Sequence, residues 1–449
     1  MATTKISRTS SSTGNRRTWT FSGWFKKCSL AVMGGLFATY TDSNNRLDFG
    51  FDASDKFFFK EKVSSSTNID FTSTQTFRDV SAFYHLVISV DTTQSTNTNR
   101  VKIYINGEQI TSWVDSTYPA EDYDTLMNLT GRTYILGSKT GSADYWNGLM
   151  AHVHLVDGTA LTPATFGETD STSGIWKPKT APSVTYGTNG FFLKFENSGN
   201  MDLDSSSNNL SFTTSGTPTQ NVDTPSNNYC TMNPLDNYYN SSTFTNGNTT
   251  VTTPSSGYSG VIGAMGASKG KWYFEFKPVS KTGDADEYSV GIAGASVTAT
   301  NQPHYKLATG YMYLGSNGNS YNNDSGSSYG NTFTAGDIIG VAMDLDNSKL
   351  YFSKNGTFQN SGVPTSGSTG TGAISITAPD STPIGFYLPC CAFSSNSAGA
   401  TMSFNFGSGY FGTTAVASAN ADANGHGAME YAVPSGYYTL NTKNLKEFG

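Results

Sequence analysis

One sequence pattern occurs twice in the chain and limits the folds that the chain can adopt. In its first copy, residues 83–91 are rich in β-branched and aromatic side chains, and residues 100–105 alternate between apolar and polar. Asn106 and Gly107 follow, and both tolerate the positive φ that a tight turn requires. The second copy spans residues 337–356 and ends on the same Asn-Gly pair. Strand, turn, strand and Asn-Gly, present twice, predict two antiparallel β-sandwiches, each with a central strand pair.

The remainder of the chain also favours an all-β fold. Short aromatic-rich runs alternate with turn residues, and no helical periodicity extends beyond about three turns. A chain of 449 residues has room for two all-β domains of roughly 200 residues each. We predict tandem antiparallel sandwiches at residues 1–200 and 241–410, a polar connector at 201–240, and a C-terminal tail at 411–449 that packs on an edge strand.

Composition excludes several classes of protein. Charged residues make up only 14% of the chain and the net charge is −7, without a long basic run, so binding to nucleic acid through phosphate neutralisation is not expected. No apolar run approaches the ~20 residues of a membrane span, and no cleaved signal is expected. We predict buried thiols, without metal-ligand spacing, for the four cysteines Cys28, Cys230, Cys390 and Cys391.

The first half resembles the concanavalin A-like, laminin-G-type jelly roll. The resemblance rests on residues 19–24, 83–91, 101–107 and 146–157. The family has "Trp-His-x-Val" before a strand, Asp, a second strand and "Val-Asn-Gly". Here residues 83–86 read Phe-Tyr-His-Leu, which is a mild departure from that pattern.

The second half resembles a SPRY (B30.2) domain. Four pieces of that signature stand in the right order, at residues 270–276, 288–293, 336–356 and 383–388. They include "Gly-Lys-Trp-Tyr-x-Glu", "Gly-Asp-x-Ile-Gly-Val-x-x-Asp" and "Phe-x-x-Asn-Gly". Together the two resemblances span most of residues 15 to 410.

The pairing of these domains is similar to virion proteins of tailed phages, especially marine ones. The openings at residues 7–9 and 15–19 and the stretch 222–235 are also similar to theirs. The resemblance implies a non-catalytic structural or adhesive component at the virion surface, such as a fibre, tail or head-decorating subunit. Its implied partners are other virion proteins, host surface glycans and further copies of itself.

Two other functions compete with this one. Many concanavalin A-like domains are glycoside hydrolases, which need two carboxylates in one cleft, roughly 5–10 Å apart. The acidic runs at residues 121–124, 284–287 and 344–346 fall in turns or at strand ends, and the five histidines lie in no nucleophile motif, so we predict no catalytic residue. An intracellular SPRY adaptor is the third function, disfavoured because no accompanying RING, B-box or helical partner domain is recognisable.

Metal sites receive little support from the sequence. His152 and His154 lie two apart on one strand and share a face, but we expect a solvent-facing pair because no further ligand is near. Laminin-G folds often bind calcium through rim aspartates, and Asp91, Asp144 and Asp157 are the candidates, without an EF-hand pattern. We predict no cofactor and no metal ligand, with calcium as the one ion to test.

A binding surface is predicted around a loop rich in Asn and Gly at residues 315–330. Flat aromatic faces stack on sugar rings and neighbouring amides bond to hydroxyls, and SPRY domains bind partners through loops on one edge. The alternative is that two of the tyrosines are ordinary strand residues. The predicted binding residues are Tyr305, Tyr311, Tyr313, Tyr321 and Tyr329.

Overall fold

The chain forms two compact units. The computed structural model describes residues 3–171, 174–239, 241–255, 258–282, 287–297, 303–394 and 399–449. The first unit comprises Met1–Gln220 and Thr224–Ser226, and the second comprises residues 221–223 and Asn227–Gly449. Nearly all regular structure is β-strand, so the predicted all-β fold with two antiparallel sandwiches is confirmed.

The first unit contains sixteen strands within the described residues. They are β1 (Lys5–Thr9), β2 (Thr18–Lys27), β3 (Gly34–Asp42), β4 (Asn45–Phe51), β5 (Lys56–Val63), β6 (Ser66–Thr76), β7 (Tyr84–Asp91), β8 (Val101–Ile105), β9 (Glu108–Gln109), β10 (Trp113–Thr117), β11 (Thr133–Leu136), β12 (Gly148–Asp157), β13 (Gly167–Thr169), β14 (Trp176–Pro178), β15 (Phe191–Leu193) and β16 (Thr213–Ser215). Short 3-10 helices lie at Asn97–Asn99 and Pro163–Thr165.

Two sheets of this unit enclose one aromatic core. Their strand orders are β10-β6-β5-β4-β3-β11-β1-β16 and β15-β12-β2-β7-β8-β9. Phe21 of β2 lies 4.7 Å from Phe49 of β4 and 5.4 Å from Phe37 of β3, measured between ring centroids. The outer face of the second sheet is covered as well, because Val87 and Val156 pack there against Phe166 and residues that follow it. Strands such as β7 are therefore buried on both faces.

The second unit contains eighteen strands and one helix among the residues described. They are β17 (Met232–Tyr239), β18 (Thr243–Thr245), β19 (Thr250–Thr252), β20 (Tyr258–Gly263), β21 (Lys271–Lys281), β22 (Tyr288–Ala293), β23 (Gly310–Leu314), β24 (Asn319–Asn322), β25 (Ser325–Ser328), β26 (Ile339–Asp344), β27 (Lys349–Lys354), β28 (Thr357–Phe358), β29 (Ile374–Ser375), β30 (Leu388–Ser394), β31 (Ala400–Asn405), β32 (Tyr410–Phe411), β33 (Thr414–Ala415), β34 (Tyr438–Thr439) and α1 (Thr442–Phe448). Short 3-10 helices lie at His304–Lys306, Gln359–Ser361, Pro364–Thr369 and Pro379–Ser381.

Two sheets again face each other across an apolar core. One has the order β17-β20-β30-β22-β23-β24-β25, and the other β18-β19-β31-β21-β26-β27-β28, with β29 and β34 pairing onto β27 and β21. Tyr313 of β23 stacks on Phe352 of β27 at 5.3 Å, which joins the two layers. Trp272, Phe274 and Phe276 of β21 point into the same core.

The two Asn-Gly pairs form matching turns. Asn106 and Gly107 have φ of 52° and 89°, and Asn355 and Gly356 have φ of 48° and 82°. Left-handed conformations at two successive residues give the turn that matches the twist of paired strands. The predicted turns are confirmed in both units.

Each asparagine of these turns also clamps the partner strand. The N–H of Asn106 donates to the His85 carbonyl at 2.9 Å, and the N–H of His85 donates to Asn106 Oδ1 at 2.8 Å. Asn355 makes the same two bonds with Ile338, both at 2.8 Å. The side chain and the backbone of one residue thus fix the register of the central strand pair.

The stretch predicted as a connector, residues 201–240, is divided between the two units. In the first unit β16 pairs with β1, and Asp204 Oδ1 accepts from the N–H of Phe192 at 2.9 Å. In the second unit β17 pairs with β20. These residues therefore belong to the sheets of both sandwiches; Asn240, at the predicted boundary, lies outside the described residues.

The C-terminal tail packs against an interior strand. β34 pairs in parallel with the start of β21, whereas an edge strand was expected. The buried Glu275 carboxylate accepts from the backbone N–H groups of Glu430 and Tyr431 at 2.9 and 2.8 Å. Leu440 reaches the main core, so the tail is an integral part of the second sandwich.

Candidate binding surface

Three of the five predicted binding tyrosines lie in the core of the second sandwich. Tyr311, Tyr313 and Tyr329 are buried, and each hydroxyl has a hydrogen-bond partner. Tyr311 bonds to Thr377, and Tyr329 accepts from the N–H of Phe352. A buried ring offers no face to a ligand, which corrects the prediction for these three residues.

Tyr305 and Tyr321 are half-buried and adjacent. Their ring centroids lie 5.6 Å apart, and Asn317 Nδ2 donates to the Tyr321 hydroxyl at 2.9 Å. One face of the Tyr321 ring is packed on Gly326, where an added Cβ would come within 2.8 Å of the ring. The structure thus brings together two of the five tyrosines, with limited free aromatic surface.

A trough in the second unit was not indicated by the sequence. It has a volume of ≈460 Å³. Its lining residues are Asn233, Ile262, Gly263, Ala264, Gly266, Ala267, Ser268, Phe386, Leu388, Leu445 and Gly449. The SPRY-like motif at residues 383–388 ends where β30 begins, at Leu388, and Phe386 lies in the preceding turn, 37% exposed. Gly385, with φ of 78°, is the local signal for that turn.

A serine and a histidine lie within hydrogen-bond distance in the first unit. Ser22 Oγ and His85 Nε2 are 2.9 Å apart on the outer face of the sheet that contains β2 and β7. Trp24 stacks on the His85 ring at 4.5 Å, and Trp176 Nε1 donates to His85 Nδ1 at 2.9 Å. Ser22 and His85 are completely buried.

This arrangement does not form a nucleophile and a base. Because the Trp176 N–H occupies Nδ1, the neutral His85 ring carries its proton on Nε2 and donates to Ser22. A general base must instead accept the serine proton at that nitrogen. Burial, with a smaller contribution from His152, lowers the pKa of His85 to about 3. The trio therefore anchors the β14 segment onto the sheet.

The histidine pair is not solvent-facing. His154 is 2% exposed, its ring stacks on Phe192 at 3.8 Å, and its Nδ1 lies 2.9 Å from the Tyr186 hydroxyl. His152 sits in a β-bulge with φ of 48° and lies 6.5 Å from His154, between ring centroids. Burial lowers the pKa of both rings. The sequence expectation failed because Phe166, Tyr186 and Phe192 cover this face.

The calcium candidates are not brought together. Asp91 and Asp157 flank the Thr18–Trp19 end of β2, whereas Asp144 precedes β12 at the opposite end. Asp157 already accepts from three N–H donors, and Asp91 from Thr93 and Gln94. Over the described ranges no group of three His, Cys, Asp or Glu residues could hold a metal ion.

The acidic runs are engaged in local contacts. Arg17 bonds to Asp122 and Asp124 at 3.1 and 2.9 Å on the surface. Asp344 is buried and pairs with Lys271 at 2.9 Å. In the run at residues 284–287, residues 284–286 lie outside the described residues.

Two buried glutamates have strongly raised pKa values. Burial raises the pKa of Glu61 to about 8, although its carboxylate accepts from the N–H of Leu126 and the hydroxyl of Tyr123. Burial raises the pKa of Glu275 to about 7. Among the described residues, no second carboxylate side chain is a main cause of either raised pKa, as it would be in the paired carboxylates of a glycosidase.

These features define a protein of two β-sandwiches, each with one large apolar core. Residues 2–165 match the family model described as the concanavalin A-like lectin/glucanases superfamily, and residues 271–409 match the SPRY domain model. The chain therefore carries a concanavalin A-like domain followed by a SPRY domain, as the motifs had indicated. Both kinds of domain are generally binding modules.

Similar proteins match parts of the chain. Ran-binding protein 9 of Danio rerio is 35% identical over 91 residues, which is 20% of this chain and 15% of that protein. The human Ran-binding protein 9 is 36% identical over 91 residues, 20% of this chain and 12% of that protein. The chain thus spans only a small fraction of the length of these curated relatives.

Solved structures also show local similarity. The SPRY domain of human HERC1 has 20% identity and a TM-score of 0.31, covering 38% of this chain and 96% of that chain. The heptameric SAP-like pentraxin of Limulus polyphemus has 15% identity and a TM-score of 0.28, covering 42% and 94%. In the part of the chain that the structure describes, no helix is long and apolar enough to cross a membrane.

Proposed function

We propose that this protein is a non-catalytic component of a tailed-phage virion, exposed on its surface. In this role it binds host surface glycans or neighbouring virion proteins, and several copies act together in one particle. It is a fibre, tail or head-decorating subunit. It uses no cofactor and does not bind nucleic acid or insert into a membrane.

The observation that carries this proposal is the pairing of two binding domains in which the buried His85 and Glu275 are engaged in internal hydrogen bonds. His85 donates to Ser22 and accepts from Trp176, so it is not free to act as a base. Glu275 is held by four hydrogen bonds, two of them from the tail backbone. A protein of this design presents surfaces and does not turn over a substrate.

The virion role is supported by short sequence stretches outside the two domain signatures. The openings at residues 7–9 and 15–19 and the stretch 222–235 resemble virion proteins of tailed phages. The low content of charged residues leaves a surface of hydroxyls and amides, which hydrogen-bond well to sugars and to protein surfaces.

Location on the particle is the decisive test. We expect an antibody against this protein, coupled to gold, to label intact purified phage particles at regular positions on the head, tail or fibres. Particles of an unrelated phage, treated in parallel, should remain unlabelled. Purified particles that lack this protein both by labelling and by mass spectrometry would overturn the virion role.

We also expect no hydrolytic activity. Incubation of the full chain with host surface polysaccharide should release no reducing sugar above buffer, because Glu275 is held in internal hydrogen bonds and the exposed Asp122 and Asp124 are both bonded to Arg17. A polysaccharide-degrading enzyme on the same substrate is the positive control. Reproducible release that a single Asp or Glu substitution abolishes would instead establish a depolymerase.

A further inference from the structure

The trough beside Phe386 has walls that are fixed by backbone bonds. Ala267 and Tyr387 exchange both of their backbone hydrogen bonds, at 3.0 and 2.9 Å, and this ties the segment 262–268 to the Phe386 turn. Gly266 lies against the Phe386 ring so closely that an added Cβ would come within 2.5 Å of it. The ring is therefore held at the rim before any ligand arrives, which lowers the entropic cost of binding.

The lining is apolar with a few polar groups and no ionisable side chain. Ile262, Leu388 and Leu445 form the apolar walls, and the volume of ≈460 Å³ falls within the range of roughly 300–1,000 Å³ that is usual for ligand sites. None of the lining side chains, all of which lie within the described residues, is charged, so no side chain there offers an ionic partner to a ligand; the backbone of Gly449 completes the lining.

Two polar side chains in the trough have hydrogen-bonding groups that no described residue engages. Asn233 Oδ1 accepts from the N–H of Leu235 at 2.9 Å, but its Nδ2 has no partner within the described residues. The exposed Ser268 hydroxyl likewise makes no bond there. An apolar peptide side chain in the trough would bury these groups without partners, which is costly.

We propose that this trough binds one ring of a neutral hexose. The C–H face of a pyranose would stack on Phe386, and its hydroxyl edge would bond to Asn233 and Ser268. The inference rests on the proposed function and makes it more specific, since it assigns the second domain an uncharged glycan ligand. It also places that ligand away from Tyr305 and Tyr321.

Saturation-transfer NMR on the full chain tests this inference, with glucose, galactose, mannose and N-acetylglucosamine as separate probes. We expect at least one probe to receive saturation. Phe386→Ala should weaken that binding by about tenfold because the stacking face is lost. Asn233→Asp keeps the acceptor for Leu235 but removes the amide donor, so it should also weaken binding.

Matched variants locate the site. Val363→Ala trims another exposed apolar side chain of the same unit, and Tyr321→Ala disrupts the tyrosine pair. Both should bind the probe like the wild type. Absence of transfer from all four sugars, or undiminished transfer in Phe386→Ala, would overturn the inference. Either result leaves particle labelling, and hence the virion role, to be judged separately.

Discussion

Replacing Gly356 by valine is expected to lower the melting temperature of the second sandwich by roughly 5–10 °C. Gly356 has φ of 82°, which a β-branched residue adopts only with strain of about 1–3 kcal/mol. An added Cβ would also lie 2.7 Å from the ring of Tyr431, in the tail that Glu275 holds in place. Calorimetry on the full chain should show a shifted second-domain transition with the first-domain transition unchanged.

Gly107→Val is the companion experiment in the first sandwich. Gly107 has φ of 89°, but the nearest atoms to an added Cβ belong to Trp176, at an ordinary 3.6 Å. Backbone strain acts there without a clash, so the first-domain transition should fall by a smaller amount, roughly 3–6 °C. Gly199→Val is the control, since Gly199 lacks positive φ and its Cβ would meet only Asn197. If both turn variants melt like wild type, these turns do not set the register of the sheets.

The central strands could be predicted because their pattern is local. In β8, Val101, Ile103 and Ile105 are buried while Lys102 and Tyr104 are partly exposed, as alternation indicates. The Asn-Gly turns were equally predictable, since two successive positive φ angles favour that pair of residues. What the pattern did not show was the asparagine side chain reaching back to the partner strand.

The buried tyrosines of the second unit show where a local sequence pattern fails. Tyrosine occurs both on solvent-exposed surfaces and in cores. It is stable in a core when its hydroxyl has a hydrogen-bond partner there. The partners of Tyr311 and Tyr329 are Thr377 and Phe352, 66 and 23 residues away in sequence. A pattern over about ten neighbouring residues does not contain such distant pairings. It therefore does not distinguish a core tyrosine from a tyrosine on a binding surface.

Neither the trough nor the division of residues 201–240 between the two units could be predicted from a local sequence pattern. Phe386 reaches the trough from a turn, whereas Asn233 comes from β17 and Leu445 from α1. β16 is a short Thr-Thr-Ser strand that pairs with β1 more than 200 residues earlier. Polar edge strands of this kind carry little hydrophobic alternation and are read as loops.

A fall in pH from about 9 to about 7 is expected to stabilise the first sandwich by about 1 kcal/mol from Glu61. This range lies above the pH at which the unfolded chain protonates the three histidines of this unit, whose lowered pKa values act in the opposite direction. Burial raises the pKa of Glu61 in the folded state to about 8, from an ordinary value of 4.5. The folded state therefore keeps a proton that the unfolded chain releases. This stabilisation is fully present below about pH 4.5 and is lost as the pH rises through about 8.

Glu61→Gln should remove most of this pH dependence, because glutamine keeps the shape and the acceptor of a protonated glutamate but does not titrate. The readout is the slope of the first-domain melting temperature against pH, so a uniform loss of stability in the variant does not obscure the result. Glu275→Gln is the internal control: its pKa of about 7 acts on the second-domain transition, which alone should flatten. A first-domain slope that is identical in Glu61→Gln and wild type would mean that Glu61 does not hold the proton released on unfolding.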